Sequence, residues 1–239
     1  QTTQTDSGLI NRVNRYVLDG ATLTFDRTIV DELPGAQYHD GGRIKFGPDG
    51  YLYVTLGDAG DADAAQDTQQ LEGSILRYTS EGEFPQSNPF DNAIYSYGHR
   101  NPQGLAWDNE GRLWSSEHGR SGIRSGFDEI NLITQGTNYG WPEIQGDETV
   151  ENAVQPVKHS GPDTTWAPAG LAYLDGHLYI PGLRGETLYI AELDGTEIVG
   201  WEEYFVGEYG RLRTVVVGPD DLLYVTTSNR DGRGTPEAT

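Results

Sequence analysis

The chain has 239 residues, enough for one large domain with a sizeable core, and no stretch reads as an interdomain linker. Its 37 Asp and Glu against 16 Lys and Arg give a formal charge of −21, which argues against nucleic acid or an anionic lipid surface as partner. Cysteine is absent, so disulfides and thiolate metal sites are excluded, and no apolar run is long enough for a membrane span. Lysine occurs only as Lys45 and Lys158 while arginine is retained, a balance that fits a surface adapted to high salt, where ions screen carboxylate repulsion.

In chain order, residues 1–8 are polar and read as a frayed end. Residues 11–18 alternate like a strand, and Asp19-Gly20 turns them into a second strand over 22–30. Residues 38–58 form the central pattern: Ile44 and Phe46, then Leu52, Val54 and Leu56, alternate about the turn Gly47-Pro48-Asp49-Gly50. The stretch 60–73 lacks apolar periodicity. With Asp58 it carries the cluster Asp58, Asp61, Asp63 and Asp67, but not the glycine and closing glutamate of an EF-hand loop, so it reads as a solvated acidic loop. Residues 74–78 are a strand, 81–93 a Pro/Asn-rich loop, 129–133 an apolar strand, 137–142 an aromatic turn and 146–160 an acidic surface segment. Further strands are expected over 186–193, 196–206 and 222–227, and no amphipathic helix is visible, so the chain is all-β.

The hairpin at 38–58 recurs at 100–119, 165–185 and 211–229, each copy opening its return strand with a Leu-aromatic pair: Leu52-Tyr53, Leu113-Trp114, Leu178-Tyr179, Leu223-Tyr224. Such recurrence is that of a β-propeller built from blades of about four strands. His39, Arg100 and Thr165 stand at equal distances before the turn glycines Gly50, Gly111 and Gly176, and Arg211 lies within one residue of the same register before Asp221. In a propeller these positions converge on one mouth of the central channel. There Arg100, Arg211 and Arg213 concentrate positive charge in an otherwise acidic chain, which suits a small ligand with several carboxylates or phosphates. A histidine beside such a ligand suggests cofactor-assisted proton abstraction. Serine hydrolysis is poorly supported, since no G-x-S-x-G elbow occurs.

The strings HDGGRIKFGPDGYLYVTLGD, SYGHRNPQGLAWD, SSEHG, DEINLITQGTNYGWP and TSNRDGRG closely resemble the soluble PQQ-dependent glucose/sorbosone (aldose sugar) dehydrogenase family, over essentially the whole chain from Asn11. The resemblance implies a six-bladed propeller with pyrroloquinoline quinone (PQQ) over the mouth, oxidising aldose sugars to lactones and passing electrons to an external acceptor. It further implies an extracellular or periplasmic location. His39 looks like the base that takes the sugar hydroxyl proton. Gln66, Arg100, Asn101, Thr165, Arg184, Arg211 and Arg213 look like cofactor contacts. Gly119 and Arg120 look like carbonyl ligands of the calcium that binds PQQ, although many relatives carry proline where Arg120 stands. Glu129, Tyr139 and Asp147 resemble a second, structural calcium site. The family carries a longer N-terminal segment, so the expectation is a fragment or truncated gene product of about four to five blades, with open blade edges through which it self-associates. A calcium-dependent propeller lactonase and a non-catalytic sugar-binding propeller are the alternative readings. Axial arginines count against the first and His39 against the second.

Overall fold

The computed structural model describes residues 1–6, 8–122 and 125–236. Among the described residues, seventeen strands form five antiparallel sheets, with one short 3-10 turn at Asp63–Gln66. Three sheets have four strands in chain order, the arrangement of propeller blades. They are β4–β7 (Ile44–Phe46, Leu52–Leu56, Ser74–Tyr78, Ile94–Tyr97), β8–β11 (Pro102–Trp107, Leu113–Glu117, Glu129–Ile133, Lys158–His159) and β12–β15 (Ala172–Leu174, His177–Pro181, Leu188–Asp194, Glu197–Tyr204). A two-stranded sheet, β16–β17 (Leu212–Val217, Leu223–Thr227), follows them, and a three-stranded one, β1–β3 (Thr2–Thr5, Gly8–Asp19, Thr22–Pro34), precedes them. The inner strand β8 lies against β12, and β12 against β16, so successive blades meet along an axis. Among the described residues no helix is long and apolar enough to cross a membrane.

Three of the recurring hairpins are closed by a turn aspartate. Asp49 accepts the Tyr53 hydroxyl (2.9 Å), Asp108 the Trp114 indole N–H (2.9 Å) and Asp220 the Tyr224 hydroxyl (2.8 Å), which explains the aromatic residue that opens the return strand. Asp108 also accepts the Arg112 guanidinium at 2.7 Å. The core lies between sheets. Val13, Val30 and Leu33 of the first sheet pack on Leu52, Val54, Leu56, Leu76 and Ile94 of the second. Trp114 and Ile130 pack with Leu178, Ile180 and Tyr189 of the following blade.

Two segments depart from the sequence expectation. The N-terminal residues are paired rather than frayed, Thr2 opposite Asn11 and Thr5 opposite Gly8, because Thr2 Oγ1 donates to Asn11 Oδ1 (2.7 Å) and the Arg12 amide to the Gln1 carbonyl (2.8 Å). Lys158–His159 in the acidic segment adds a fourth strand to its blade through Ile130 and Glu129.

Main-chain bonds join neighbouring blades at both ends. At the end bearing His39, main-chain bonds cross between neighbouring blades: Asp58 N to Arg100 O (2.8 Å), Gly170 N to Arg213 O (2.8 Å) and Leu212 N to Gly182 O (3.3 Å). At the turn end Gly136 N donates to Tyr95 O (2.7 Å), and side chains meet as in the edge-on pair Tyr53–Trp107 with centroids 5.1 Å apart.

Candidate functional site

His39 sits in the loop that leads into β4, with φ of 60°. Two residues on, Gly41 has φ of 62°, and a Cβ there would fall 2.6 Å from the Thr55 carbonyl oxygen. Only glycine lets this loop lie flat on β5. The hairpin then brings the end of β5 beside the histidine: His39 Nδ1 lies 2.7 Å from Asp58 Oδ1. Asp58 is 2% exposed, and its carboxylate also accepts the Gly60 amide on Oδ1 and the Trp141 indole N–H on Oδ2, each at 2.9 Å. Burial pushes the Asp58 carboxyl up, but the bonds from His39, Gly60 and Trp141 outweigh it and hold the group below the usual carboxylate range. An ionised Asp58 fixes the proton on His39 Nδ1 and leaves the Nε2 lone pair as the basic position. Nε2 has no hydrogen-bond partner among the described residues.

The guanidinium of Arg100 approaches the same space. Glu117, at the end of β9, holds its backbone: Oε1 accepts the amides of Arg100 and Asn101, while Oε2 lies 2.8 Å from His99 Nδ1. Tyr139 stacks on that imidazole at 4.7 Å. The Arg100 side chain runs over the Trp141 ring (5.3 Å) and donates to Ser121 Oγ (3.1 Å), but its Nε and Nη1 are buried without a partner. A buried arginine with unused N–H groups is a site prepared for an anion. His118 lies nearby. Burial first, then the charges of Arg100, His39 and Arg213, push it down to about 3, so it stays neutral. His118 thus lies within electrostatic reach of His39, Arg100 and Arg213.

The other residues singled out from the sequence are placed as follows. Asn101 Oδ1 accepts the Gly41 amide (3.1 Å) and so ties the His39 loop to the next blade. Thr165 Oγ1 and Arg184 Nη1 both reach Ser125 Oγ, at 3.0 and 3.1 Å. Arg213 Nε donates to Ser228 Oγ (3.2 Å). Arg211 is held away from a free role, with Nε and Nη2 on Asp231 and Nη1 on the Leu183 carbonyl. Gln66 is committed to Asn138 and to the Trp141 carbonyl (2.6 Å).

A small cavity beneath Arg100 is lined by Glu117, His118, Gly119, Arg120, Glu129, Tyr139 and Gln145, among others. Burial, then the negative charge of Glu117, push the Glu129 carboxyl upward. Gln145 Oε1 and Asn131 Oδ1 are buried without a donor. The Glu117 and Glu129 carboxylates and the Gln145 amide oxygen are hard donors of the kind calcium takes, in a lining that also holds Arg100 and Arg120. Among the described residues no three His, Cys, Asp or Glu side chains converge on one point, so such an ion would draw also on amide and main-chain oxygens. The Tyr139 hydroxyl is taken by Leu132 O (2.6 Å) and Thr134 N (2.9 Å). Asp147 does not join Glu129: its side chain is 94% exposed and pairs with His159 at 3.2 Å, because the turn at 145–148 points Gln145 inward instead. Gly119 is packed so closely that a Cβ would lie 2.1 Å from Phe127 O, and its amide donates to Asp128 Oδ1 (2.9 Å). Arg120 O accepts the Gly126 amide (3.2 Å), and its side chain lies over Phe127.

Four residues belong to the site without standing out in the sequence. Asp58 reads there as part of a solvated acidic loop, yet it follows β5 opposite His39 in the same hairpin, a signal that separates it from Asp61, Asp63 and Asp67. Glu117 and Trp141 act across blades: the aromatic turn at 137–142 marks Trp141 but not its partner, and no local pattern marks Glu117. Asp128 binds Gly119 N with one oxygen and the Trp166 and Ala167 amides with the other, joining two blades.

Blades converging on one carboxylate-anchored histidine and a buried, unsatisfied guanidinium make a propeller with an anion-binding mouth, the build of the soluble quinoproteins. The Glucose / Sorbosone dehydrogenase family model matches residues 1–235, and the chain belongs to that family. It is 33% identical over 247 residues to an aldose sugar dehydrogenase of Escherichia coli, covering 90% of this chain and 64% of that one. The chain therefore spans less than two thirds of that relative. A crystal structure of a Thermus thermophilus chain assigned as a glucose dehydrogenase superposes with a TM-score of 0.91 at 45% identity, covering 98% of this chain and 74% of the other. The PQQ-bound aldose sugar dehydrogenase of Streptomyces coelicolor does so with a TM-score of 0.86 at 43% identity, covering 94% and 68%.

Proposed function

We propose that this chain carries the site for oxidation of aldose sugars to lactones with PQQ and calcium, His39 acting as general base. The observation that carries the reading is the His39–Asp58 pair linked through Trp141 to Arg100, whose Nε and Nη1 are buried without a partner. When bound, PQQ supplies the acceptor for the hydride leaving the sugar's anomeric carbon, and calcium supplies the Lewis acid that polarises it. His39 Nε2 takes the proton of the anomeric hydroxyl, and the imidazolium so formed is stabilised by Asp58 through Nδ1–H. The neighbouring His118 stays neutral and adds no competing charge. Arg100 binds carboxylate through Nε and Nη1, with Arg213, Arg184, Thr165 and Asn101 completing the contacts. Arg211 supports the mouth from behind, bound to Asp231. The Gly119 and Arg120 carbonyls would hold one calcium, and Glu129 with Gln145 would hold a second.

The test is to add PQQ and calcium to the purified chain. A bound-cofactor absorbance that an aldose bleaches, with electrons passing on to an added dye, supports the reading. A chain that takes up no PQQ at saturating concentration overturns it. A calcium-dependent lactonase is the weaker reading, since among the described residues no three carboxylate or histidine side chains converge on one point and Arg100 keeps unpaired N–H groups.

A further inference from the structure

We propose that Trp141 is a positioning residue for two parts of this site at once: its indole N–H fixes the carboxylate that orients His39, and its ring face seats the guanidinium of Arg100. The inference rests on the reaction reading above and adds a residue to it. Oδ1 of Asp58 already accepts two donors, His39 Nδ1 and Gly60 N. Oδ2 accepts one, the Trp141 indole at 2.9 Å. Without that bond the carboxylate is free to turn about its own axis, and the imidazole turns with it. The indole is itself held firmly. The Trp141 amide donates to Gly98 O (2.9 Å), and its carbonyl accepts Gln66 Nε2 (2.6 Å), which exchanges bonds with Asn138. On the ring face the Arg100 guanidinium carbon lies 5.3 Å from the centroid, within cation–π range. One side chain from the 137–142 turn thus sets the distance between the base and the anion-binding cation, although it lies 83 residues from Asp58 in the chain.

The two roles separate by substitution. Trp141→Phe keeps a ring under Arg100 and removes the N–H. It is expected to lower kcat by about 3- to 30-fold, with KM and PQQ affinity held within about twofold. The charged and titratable groups around His39 are Asp58, Tyr38, whose ring lies 4.9 Å away, and, from the other blades, Arg100, His118 and Arg213. Removing the N–H leaves more of the Asp58 charge to the imidazolium, so the acid limb of the kcat profile and the His39 ring-proton titration both move to higher pH. Trp141→Leu removes the ring as well and lowers PQQ affinity in addition. In the parent chain the Trp141 indole N–H, followed by NMR without cofactor, exchanges slowly with solvent and shifts as His39 titrates. This readout stands even where a variant fails to fold. An indole N–H that exchanges as fast as a free one, or a Trp141→Phe chain with the parent kcat profile and His39 titration, overturns the proposal. A parent chain whose indole follows His39 while no aldose is oxidised overturns the reaction reading and leaves the positioning role standing.

Discussion

Asp58→Asn is the most discriminating change at the base. The substitution keeps size and removes the charge 2.7 Å from His39 Nδ1. Two unit charges about 4 Å apart at an effective dielectric constant of about 20 interact by ~4 kcal/mol. The His39 side chain is 16% exposed, so solvent screens part of this. About 3–4 kcal/mol of stabilisation of the imidazolium formed in the transition state is therefore lost, or roughly 10²- to 10³-fold in rate. Geometry adds to the loss. The carboxylate accepts three N–H groups, and an amide must turn its own NH₂ toward at least one of them. The assay is dye-linked oxidation of an aldose by chain reconstituted with PQQ and calcium, with PQQ affinity measured in parallel by absorbance. The expected result is a fall in kcat with cofactor affinity within about threefold of the parent. An Asp58→Asn chain that turns over within about threefold of the parent would refute the reasoning.

His39→Gln is expected to leave PQQ binding largely intact and to cut turnover by about 10²- to 10⁴-fold, and sugar oxidation at the parent rate would remove His39 from the chemistry. Asp108→Asn should destabilise the fold by about 2–3 kcal/mol in chemical denaturation near neutral pH, since the buried carboxylate holds Arg112 and the Trp114 indole. Burial raises the Asp108 carboxyl, but Trp114 and Arg112 outweigh it and hold the group below its ordinary 3.8. A depressed value stabilises the fold above the ordinary pKa and loses that contribution as pH falls through the folded one, so the difference between parent and variant should shrink below about pH 4. With a formal charge of −21, the melting temperature should rise from low to molar KCl, and a flat profile would dismiss the adaptation to high salt. Millimolar calcium should raise the melting temperature of the parent and not of Glu129→Ala, and equal shifts would remove Glu129 from cation binding.

What is legible in the sequence is whatever local chemistry specifies. The turn at 47–50 and the alternation on either side of it predict β4 and β5, and Ser74–Tyr78 and Glu129–Ile133 are strands over the residues expected. His39 is legible because register repeats across blades. What is not legible depends on contacts distant in sequence. Thr2–Thr5 is a strand because the next segment folds back on it, and Lys158–His159 because Ile130 offers an edge. Trp141 meets Asp58 across two blades, which no periodicity encodes. Arg211 shows the converse: its register is that of a mouth residue, but Asp231, 20 residues on, engages its guanidinium.

The main-chain bonds between blades bear on how the molecule breathes. At the His39 end, the amides of Asp58, Gly170 and Leu212 reach carbonyls of the neighbouring blade, so exposing any of them to solvent requires two blades to part. Their deuterium uptake is tied to large, rare openings. At the turn end the Gly136 amide likewise reaches the Tyr95 carbonyl of the neighbouring blade (2.7 Å), with Tyr53 and Trp107 packed edge-on nearby. The Asp58 amide on the Arg100 carbonyl ties the segment that anchors His39 to the one that carries Arg100, so their spacing changes when those two blades part.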